Sequence, residues 1–508
     1  MSRSIRHFVV TAVLFSMLGS AADAATITVN SSGDSIANDG SCSLREAITA
    51  ANGNLPSGAA AGECAAGAAV GQDQIFFAIS GAGPHTLQPA GALPDIVSSL
   101  VINGYTQPGA SANTLSGITQ GFDAQILIRI DGSQSGALTK PGLNIVGPNG
   151  SSSVIRGLEI FAYNSPACCA DSGIAVSGQA QNVVIAGNIL RNSGSRGVMA
   201  LGSGGGHQNL RIGGPLAADR NLIYAQTNGE GISLSDCQNC VIENNWIGLS
   251  RVGSQAIASG NLVGIHCSNS AGLQIRDNWI AGNLSAGVVL TSVQTQTIVR
   301  DNLIGGSFPN GRGIFISSNG MSGPNDNLIK KNIVTGNNQF GIGIISFSAG
   351  APVLRNSLRG NRVYANGGVE IDLGGTSGDV NGITPNDVGD VDTGPNGIQN
   401  FPVLGPVQVA GSSISIPYAI DSADVLYALE FSFSSLCDAS GNGPAGQMQR
   451  DPVELSGMQA IGTATFQLPA VAANGFVTAT ATGPDGTSEF SACRAYVFVD
   501  NLLTNGFE

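Results

Sequence analysis

The chain has 508 residues, 72 of them Gly, with 21 Lys or Arg against 34 Asp or Glu and a formal charge of −13. A hydrophobic share of 42% can bury a sizeable core and excludes disorder throughout; Gly without a three-residue period excludes collagen. The acidic balance argues against a nucleic-acid partner, and no stretch after the N-terminus is apolar over the length a bilayer requires.

Residues 1–24 read as a secretory signal peptide. Arg3 and Arg6 precede an apolar run from Phe8 to Leu18, and Ala22-Asp23-Ala24 is an A-x-A cleavage pattern. The mature protein is therefore expected outside the cytoplasm, secreted or on the outer cell surface, where paired cysteines persist. There are nine cysteines, so at least one has no partner within the chain. Cys42–Cys64 and Cys437–Cys493 are the expected disulfides, each confined to one terminal region. Cys237-x-x-Cys240 has the spacing of half a zinc site, a local disulfide or buried thiols being the alternatives.

Residues 25–150 hold the N-terminal cap and the first coils of a repeat that is regular over residues 151–375. One marker is an Asn between apolar residues, at Asn188, Asn221, Asn245, Asn278, Asn302, Asn332 and Asn361. The other is a Gly opening an alternating apolar run, as in Gly231-Ile-Ser-Leu234, Gly264-Ile-His-Cys267 and Gly313-Ile-Phe-Ile316. Successive marker Asn residues are 24–33 residues apart, and units of this length, rich in Gly and β-branched residues, exclude helical repeats and predict an all-β, right-handed parallel β-helix. In each run the first and third side chains point inward. The Asn series is expected at tight turns, where Asn tolerates the left-handed conformation and its amide can bond the same amide one coil away.

Cys42-Ser-Leu-Arg-Glu-Ala-Ile48 with Ala51-Asn52, Leu93-Pro-Asp-Ile96, Ile102-Asn-Gly-Tyr-Thr-Gln-Pro-Gly109 and the stretch from Asp390 to Val403 resemble segments of secreted bacterial β-helix proteins with a CSLREA-type motif. The resemblance covers nearly all of the mature chain and implies a β-helix of the pectin-lyase type, while implying little about activity. Read from its own residues, Ser43-x-x-Glu46 is a capping box opening a short helix that covers the first coil. Residues 376–401 form an Asp/Gly/Asn-rich junction. Alternating segments at Ser413–Tyr418, Tyr427–Phe433, Gly462–Leu468, Phe476–Thr482 and Ala492–Val499 then predict an antiparallel β-sandwich over residues 402–500. A tail follows at 501–508.

Outward side chains after the Gly markers run Ala175, Met199, Ser233, His266, Val289, Phe315, Gly343 and Glu370. They offer no carboxylate pair on neighbouring coils for glycoside hydrolysis, and His266 stands alone among them. No catalytic residue is assigned. The candidate ligand-binding face lies instead beside the marker Asn. Trp246 and Trp279 follow it in adjacent coils, where indole faces suit sugar rings. Two residues before it the side chains run Ala186, Asp219, Glu243, Arg276, Arg300, Lys330 and Arg359, and the four cations can hold carboxylates of an acidic glycan. Coverage by inserted loops and pairing with Glu243, Asp277 and Asp301 are the alternative. Asp387, Asp390, Asp392 and Asn396 are spaced as Ca²⁺ ligands, or as a rigid turn without metal.

These features predict a monomeric secreted or cell-surface scaffold that binds extracellular polysaccharide or mediates adhesion. The alternatives are a lyase of acidic glycans working through Arg or Lys, less so a glycoside hydrolase, and a structural spacer without a small ligand.

Overall fold

The computed structural model describes residues 24–136, 140–164, 171–202, 206–226, 228–318, 322–347, 351, 353–374, 382–422, 426–467 and 474–498. Residues 1–23 of the expected signal peptide, Cys168, Cys169 and the tail at 501–508 lie outside them. The architecture is a parallel β-helix whose coils each contribute one strand to three sheets, with 11, 10 and 9 strands among the described residues. Antiparallel sheets follow at the C-terminal end.

Parallel pairing in register stacks one inward apolar residue per coil. In the first sheet the column runs Ile27, Ile75, Ile102, Ile155, Ile185, Ile212, Ile242, Ile275, Val299, Ile329 and Leu358, all buried. In the third sheet the predicted alternation holds: Ile232/Leu234, Ile265/Cys267, Val288/Leu290, Ile314/Ile316 and Ile342/Ile344 succeed one another inside. Cys267 thus fills a Leu position and is a buried free thiol. The last coil departs from expectation. Ile342 pairs with Ile371 and Gly343 with Asp372, so Asp372 takes the column position read for Glu370, which is buried and turned onto Asn366.

The marker asparagines form a continuous buried ladder. Each Nδ2 donates to the Oδ1 one coil on, from Asn188 through Asn221, Asn245, Asn278, Asn302 and Asn332 to Asn361, at 2.8–3.2 Å. The left-handed residue is not the Asn itself but the one before it, as at Asn244, Asp277, Asp301 and Lys331 (φ 54–57°). A second ladder, not foreseen, joins Asn261, Asn283, Asn310, Asn337 and Asn366 at the next turn and ends on the Glu370 carboxylate.

Both ends of the solenoid are covered. Helix α1 (Leu44–Gly53) opens with the Ser43/Glu46 capping box and buries Leu44, Ala47, Ile48 and Ala51 in the core of the first coils. Cys42–Cys64 ties its start to the loop that follows it. Arg45 is structural, clamping Asp34 and the carbonyls of Gly91 and Ala92. At the far end, two antiparallel sheets share one apolar core that includes Ile414, Ile416, Leu429, Phe431, Phe433 and Val477. Cys437–Cys493 closes this unit as expected. Its segment around Gly486 pairs with Asn356 beyond the last strand of the first sheet, and Phe490 plugs the solenoid core. An exposed parallel edge, which would invite association, is thereby occupied.

Two carboxyls sit where the last coils meet this unit. Burial, aided by Asp438, pushes Glu370 up to about 8 against the Asn366 hydrogen bonds. Burial, aided by Glu454, pushes Glu430 up to about 7, although it accepts from the Gly360 amide and faces Arg359. Between the ordinary Glu value and these raised values, the folded chain holds protons that the unfolded chain has released, so stability falls as pH rises. The melting temperature is expected to drop between about pH 5 and pH 8, and Glu370→Gln with Glu430→Gln should flatten that drop. A slope unchanged in the double variant would contradict this origin.

Candidate functional site

The first sheet aligns Glu243, Arg276, Arg300, Lys330 and Arg359 on successive coils, outward, as the spacing predicts. Asp219 is not part of the row. Gly213 takes that place beside Glu243, and Asp219 lies in a short insertion, Ala217–Asp219, between two strands. Buried Glu243 accepts from both Arg211 and Arg276 at 2.8 Å. Arg300 pairs with Asp301, and Arg359 with Glu454 of the C-terminal unit. Lys330 makes no ion pair among the described residues.

Trp246 and Trp279 are neighbours in the second sheet, but they do not form an exposed platform. Their rings meet edge to face, with centroids 5.4 Å apart, and they are 0% and 8% exposed. A segment from much earlier in the chain lies over them, packing Phe122, Ala124 and Ile126 into their cluster. Three polar groups hold it down. The Trp246 indole donates to the Ile118 carbonyl at 2.6 Å. Buried Arg220 donates to the carbonyls of Ser116, Gly117 and Gly121, and Arg251 donates to those of Phe122 and Ala124. Burial pushes Arg220 down to about 10, still charged at neutral pH.

Beside this segment opens a cavity of about 420 Å³, lined by Ser116, Ile118, Pro215, Glu243, Asn244, Asp277 and Asp301. It is built by the turn that precedes the Asn ladder. Because Asn244, Asp277 and Asp301 share the left-handed conformation on successive coils, their side chains repeat with the coil spacing of about 5 Å. Burial and the neighbouring Asp301 raise Asp277 above the ordinary carboxylate range, against the pull of Arg300 and Arg276. Arg276 and Arg300, on the adjoining strands, place guanidinium groups beside these carboxylates. Such an alternation of acceptors and donors suits a hydroxyl-rich ligand more than an apolar one. Asp277 and Asp301 appear in the sequence as counter-ions of the cationic row, and the cavity wall is supplied by residues over a hundred positions away.

The structure brings Asp387, Asp390 and Asp392 together, with one oxygen of each within 4.8 Å of the others. Asn396 does not join them: it is buried and bonds Asn356 and the Thr487 carbonyl, extending a third Asn pairing into the C-terminal unit. Within the acidic trio, Asp387 Oδ1 and Asp392 Oδ1 are buried without a hydrogen bond. Burial and the neighbouring carboxylates push Asp392 up to about 6. Cys237 and Cys240 are joined in a disulfide, leaving no half zinc site. His266, read as isolated, has Glu230 at one ring nitrogen and Thr291 at the other.

Trp246→Ala should act as a core truncation, costing about 3–5 kcal/mol and freeing the covering segment. Limited proteolysis near residue 118, faster in the variant than in the parent, checks this. Unchanged stability and protection would contradict the clamp.

Two family models match parts of the chain: "right handed beta helix region" over residues 145–303 and "periplasmic copper-binding protein (NosD)" over residues 250–377. Among the described residues of the second stretch, the only His and Cys are His266 and Cys267, on opposite faces of one strand, which is not a copper donor set. No curated protein matches the chain. Among solved structures, the chain is similar to the periplasmic alginate epimerase AlgG, at 14% identity over 60% of this chain and 71% of that one, with a TM-score of 0.36. It is similar also to ORF18 of Geobacillus virus E2, at 11% over 77% and 69%, with a TM-score of 0.25. A third is tailspike protein 2 of the Escherichia coli O157:H7 bacteriophage CAB120, at 10% over 84% and 64%, with a TM-score of 0.20. Together with the stacked coils, the repeat-family match identifies the chain as a right-handed β-helix repeat protein.

Proposed function

We propose that this is an exported β-helix scaffold that binds extracellular polysaccharide at the cavity between the first sheet and the covering segment. The observation that carries the reading is the cavity itself: the carboxylates of Glu243, Asp277 and Asp301 line it, with Arg276 and Arg300 as their ion-pair partners. Sugar hydroxyls can donate to the carboxylates and accept from the guanidinium groups. Lys330, one coil beyond Arg300, is an ammonium for an acidic substituent on the next sugar. The disulfides Cys42–Cys64, Cys237–Cys240 and Cys437–Cys493 fit an oxidising compartment, and no helix among the described residues is long and apolar enough to cross a membrane.

Calorimetry against a panel of neutral and acidic polysaccharides tests the site. Asp277→Asn with Asp301→Asn should abolish binding, while Lys330→Ala should weaken only acidic polymers, by roughly tenfold for about 1.4 kcal/mol. Binding to no polymer, or binding untouched by the double variant, rejects the cavity. Absorbance of unsaturated uronates in the same mixtures separates binding from lyase turnover, which would replace the scaffold reading by an enzymatic one.

The acidic trio at the junction is proposed to take Ca²⁺. Three carboxylates converge there, and two of their oxygens are buried without a donor, which suits a hard cation with oxygen ligands. Adding about 1 mM calcium should raise the melting temperature of the parent but not of Asp387→Asn with Asp392→Asn. An identical melting temperature in calcium and in chelator would remove the ion from the account.

A further inference from the structure

The outer face of the third sheet carries a polar line that crosses four coils diagonally. Arg196 precedes Val198, the partner of Ile232, and so stands opposite Glu230. Three residues on, in the next coil, His266 follows Ser233 in the outward column. Thr291 lies two residues further along in the coil after that, paired with Ser268. The links are Arg196 to Glu230 at 2.8 Å, Glu230 Oε1 to His266 Nδ1 at 3.3 Å, and His266 Nε2 to Thr291 Oγ1 at 3.0 Å.

The protonation pattern follows from the partners. Burial would raise the Glu230 carboxyl, but the hydrogen bond to His266 and the Arg196 charge outweigh it and hold Glu230 below the ordinary value. An ionised carboxylate only accepts, so His266 Nδ1 is the donor. In the neutral ring Nε2 is then the acceptor, and the Thr291 hydroxyl donates to it. A hydroxyl held by an imidazole that is oriented by a carboxylate is the arrangement of an activated nucleophile. His266 keeps a third of its side-chain surface exposed, so the hydroxyl and the ring are open to a substrate from outside.

A platform lies in the adjoining coils. Phe315 follows Val289 in the outward column, one coil beyond Thr291. Its ring lies 6.2 Å from that of Phe347, which is 58% exposed, and Arg312 sits 5.2 Å from its centre. Exposed aromatic edges and faces of this kind suit the apolar face of a sugar ring.

We infer that Glu230, His266 and Thr291 form an acyl-transfer site for O-acyl esters of a sugar seated against Phe315 and Phe347. Thr291 Oγ1 attacks the ester carbonyl carbon while its proton passes to His266 Nε2. The carbonyl–oxygen bond to the sugar then breaks, and the leaving oxygen takes that proton. Water attacks the acyl-threonine, its proton returns through His266 to Thr291 Oγ1, and a carboxylic acid is released. Ser268, one rung back in the same column, offers the neighbouring hydroxyl donor for the oxyanion. Arg196 and Glu230 are positioning residues. Only the choice of a sugar ester rests on the polysaccharide reading, since this site lies on a different sheet from the cavity.

Hydrolysis of p-nitrophenyl acetate by the purified full chain is the first test, with intact-mass detection of an acetyl adduct mapped to Thr291. Thr291→Val and His266→Ala should each lower turnover by roughly a hundredfold or more with an unchanged melting temperature. Glu230→Gln should lower it less and shift its pH profile. No turnover above buffer overturns the inference, as does turnover that survives Thr291→Val. Acetate release from an acetylated polysaccharide, with its KM raised in Phe347→Ala, supports the sugar platform, and a KM unmoved by that substitution removes it. Failure of polysaccharide binding at the first-sheet cavity leaves the p-nitrophenyl acetate result standing, so the two readings fail separately.

Discussion

From Asn188 onward the described coils turn sharply beside an apolar core, and the buried amide ladders are what make those turns tolerable. A turn leaves backbone groups without strand partners, and burying them unpaired costs about as much as a lost hydrogen bond each. Asn278 shows how the cost is met. Its Nδ2 donates to the Ile242 and Arg276 carbonyls as well as to Asn302, and its Oδ1 accepts both the amide and the side chain of Asn245. Because that pattern repeats only if coils stay in register, insertions are confined to other places. The antiparallel hairpin of Leu249–Val252 and Gln255–Ala258 is one such place, and the segment over the tryptophans is another. The chemistry of the first sheet is carried by what these insertions cover and what they leave open.

Termination obeys the same requirement. The second ladder cannot end on an amide without leaving a donor unpaired, and it ends on Glu370, whose two oxygens accept the side chain and the backbone amide of Asn366. The Glu carboxyl thus takes the acceptor role that the next Asn would have had. The third pairing, Asn327 to Asn356, hands over to Asn396 and from there to the Thr487 carbonyl. The C-terminal unit is therefore joined to the solenoid by the device that joins one coil to the next. Glu489, accepting from the Leu373 and Thr384 amides, adds a further tie.

Much of the fold was legible because a solenoid writes its geometry into the sequence at a fixed period. The first Asn ladder, the inward columns and the outward cationic row all follow from spacing alone. The second ladder carried a signal that went unread: Asn283, Asn337 and Asn366 each follow a first-ladder Asn by five residues, with one short strand between. The burial of Trp246 could not be read that way, since Ile118, its hydrogen-bond acceptor, lies 128 residues earlier. Nor could the partners of His266, which sit on a diagonal. Comparing residues at the same rung position meets Ser233 and Val289, whereas Glu230 and Thr291 are offset along their strands. Asn396 failed as a ligand for a related reason: its spacing from the Asp trio was suitable, but ladder pairing claimed its amide.

A solenoid in which each coil touches only its neighbours behaves as a one-dimensional array, free to fray from either end. The segment clamped by Arg220, Arg251 and Trp246 breaks that one-dimensionality. It belongs to an early coil, yet it is bonded to residues several coils later. Loss of an early coil therefore pulls on the middle of the molecule, and loss of the middle releases the early segment. The region from Tyr105 to Trp279 is bound into a single cooperative block, a knot of mutual dependence inside a structure otherwise built by simple succession.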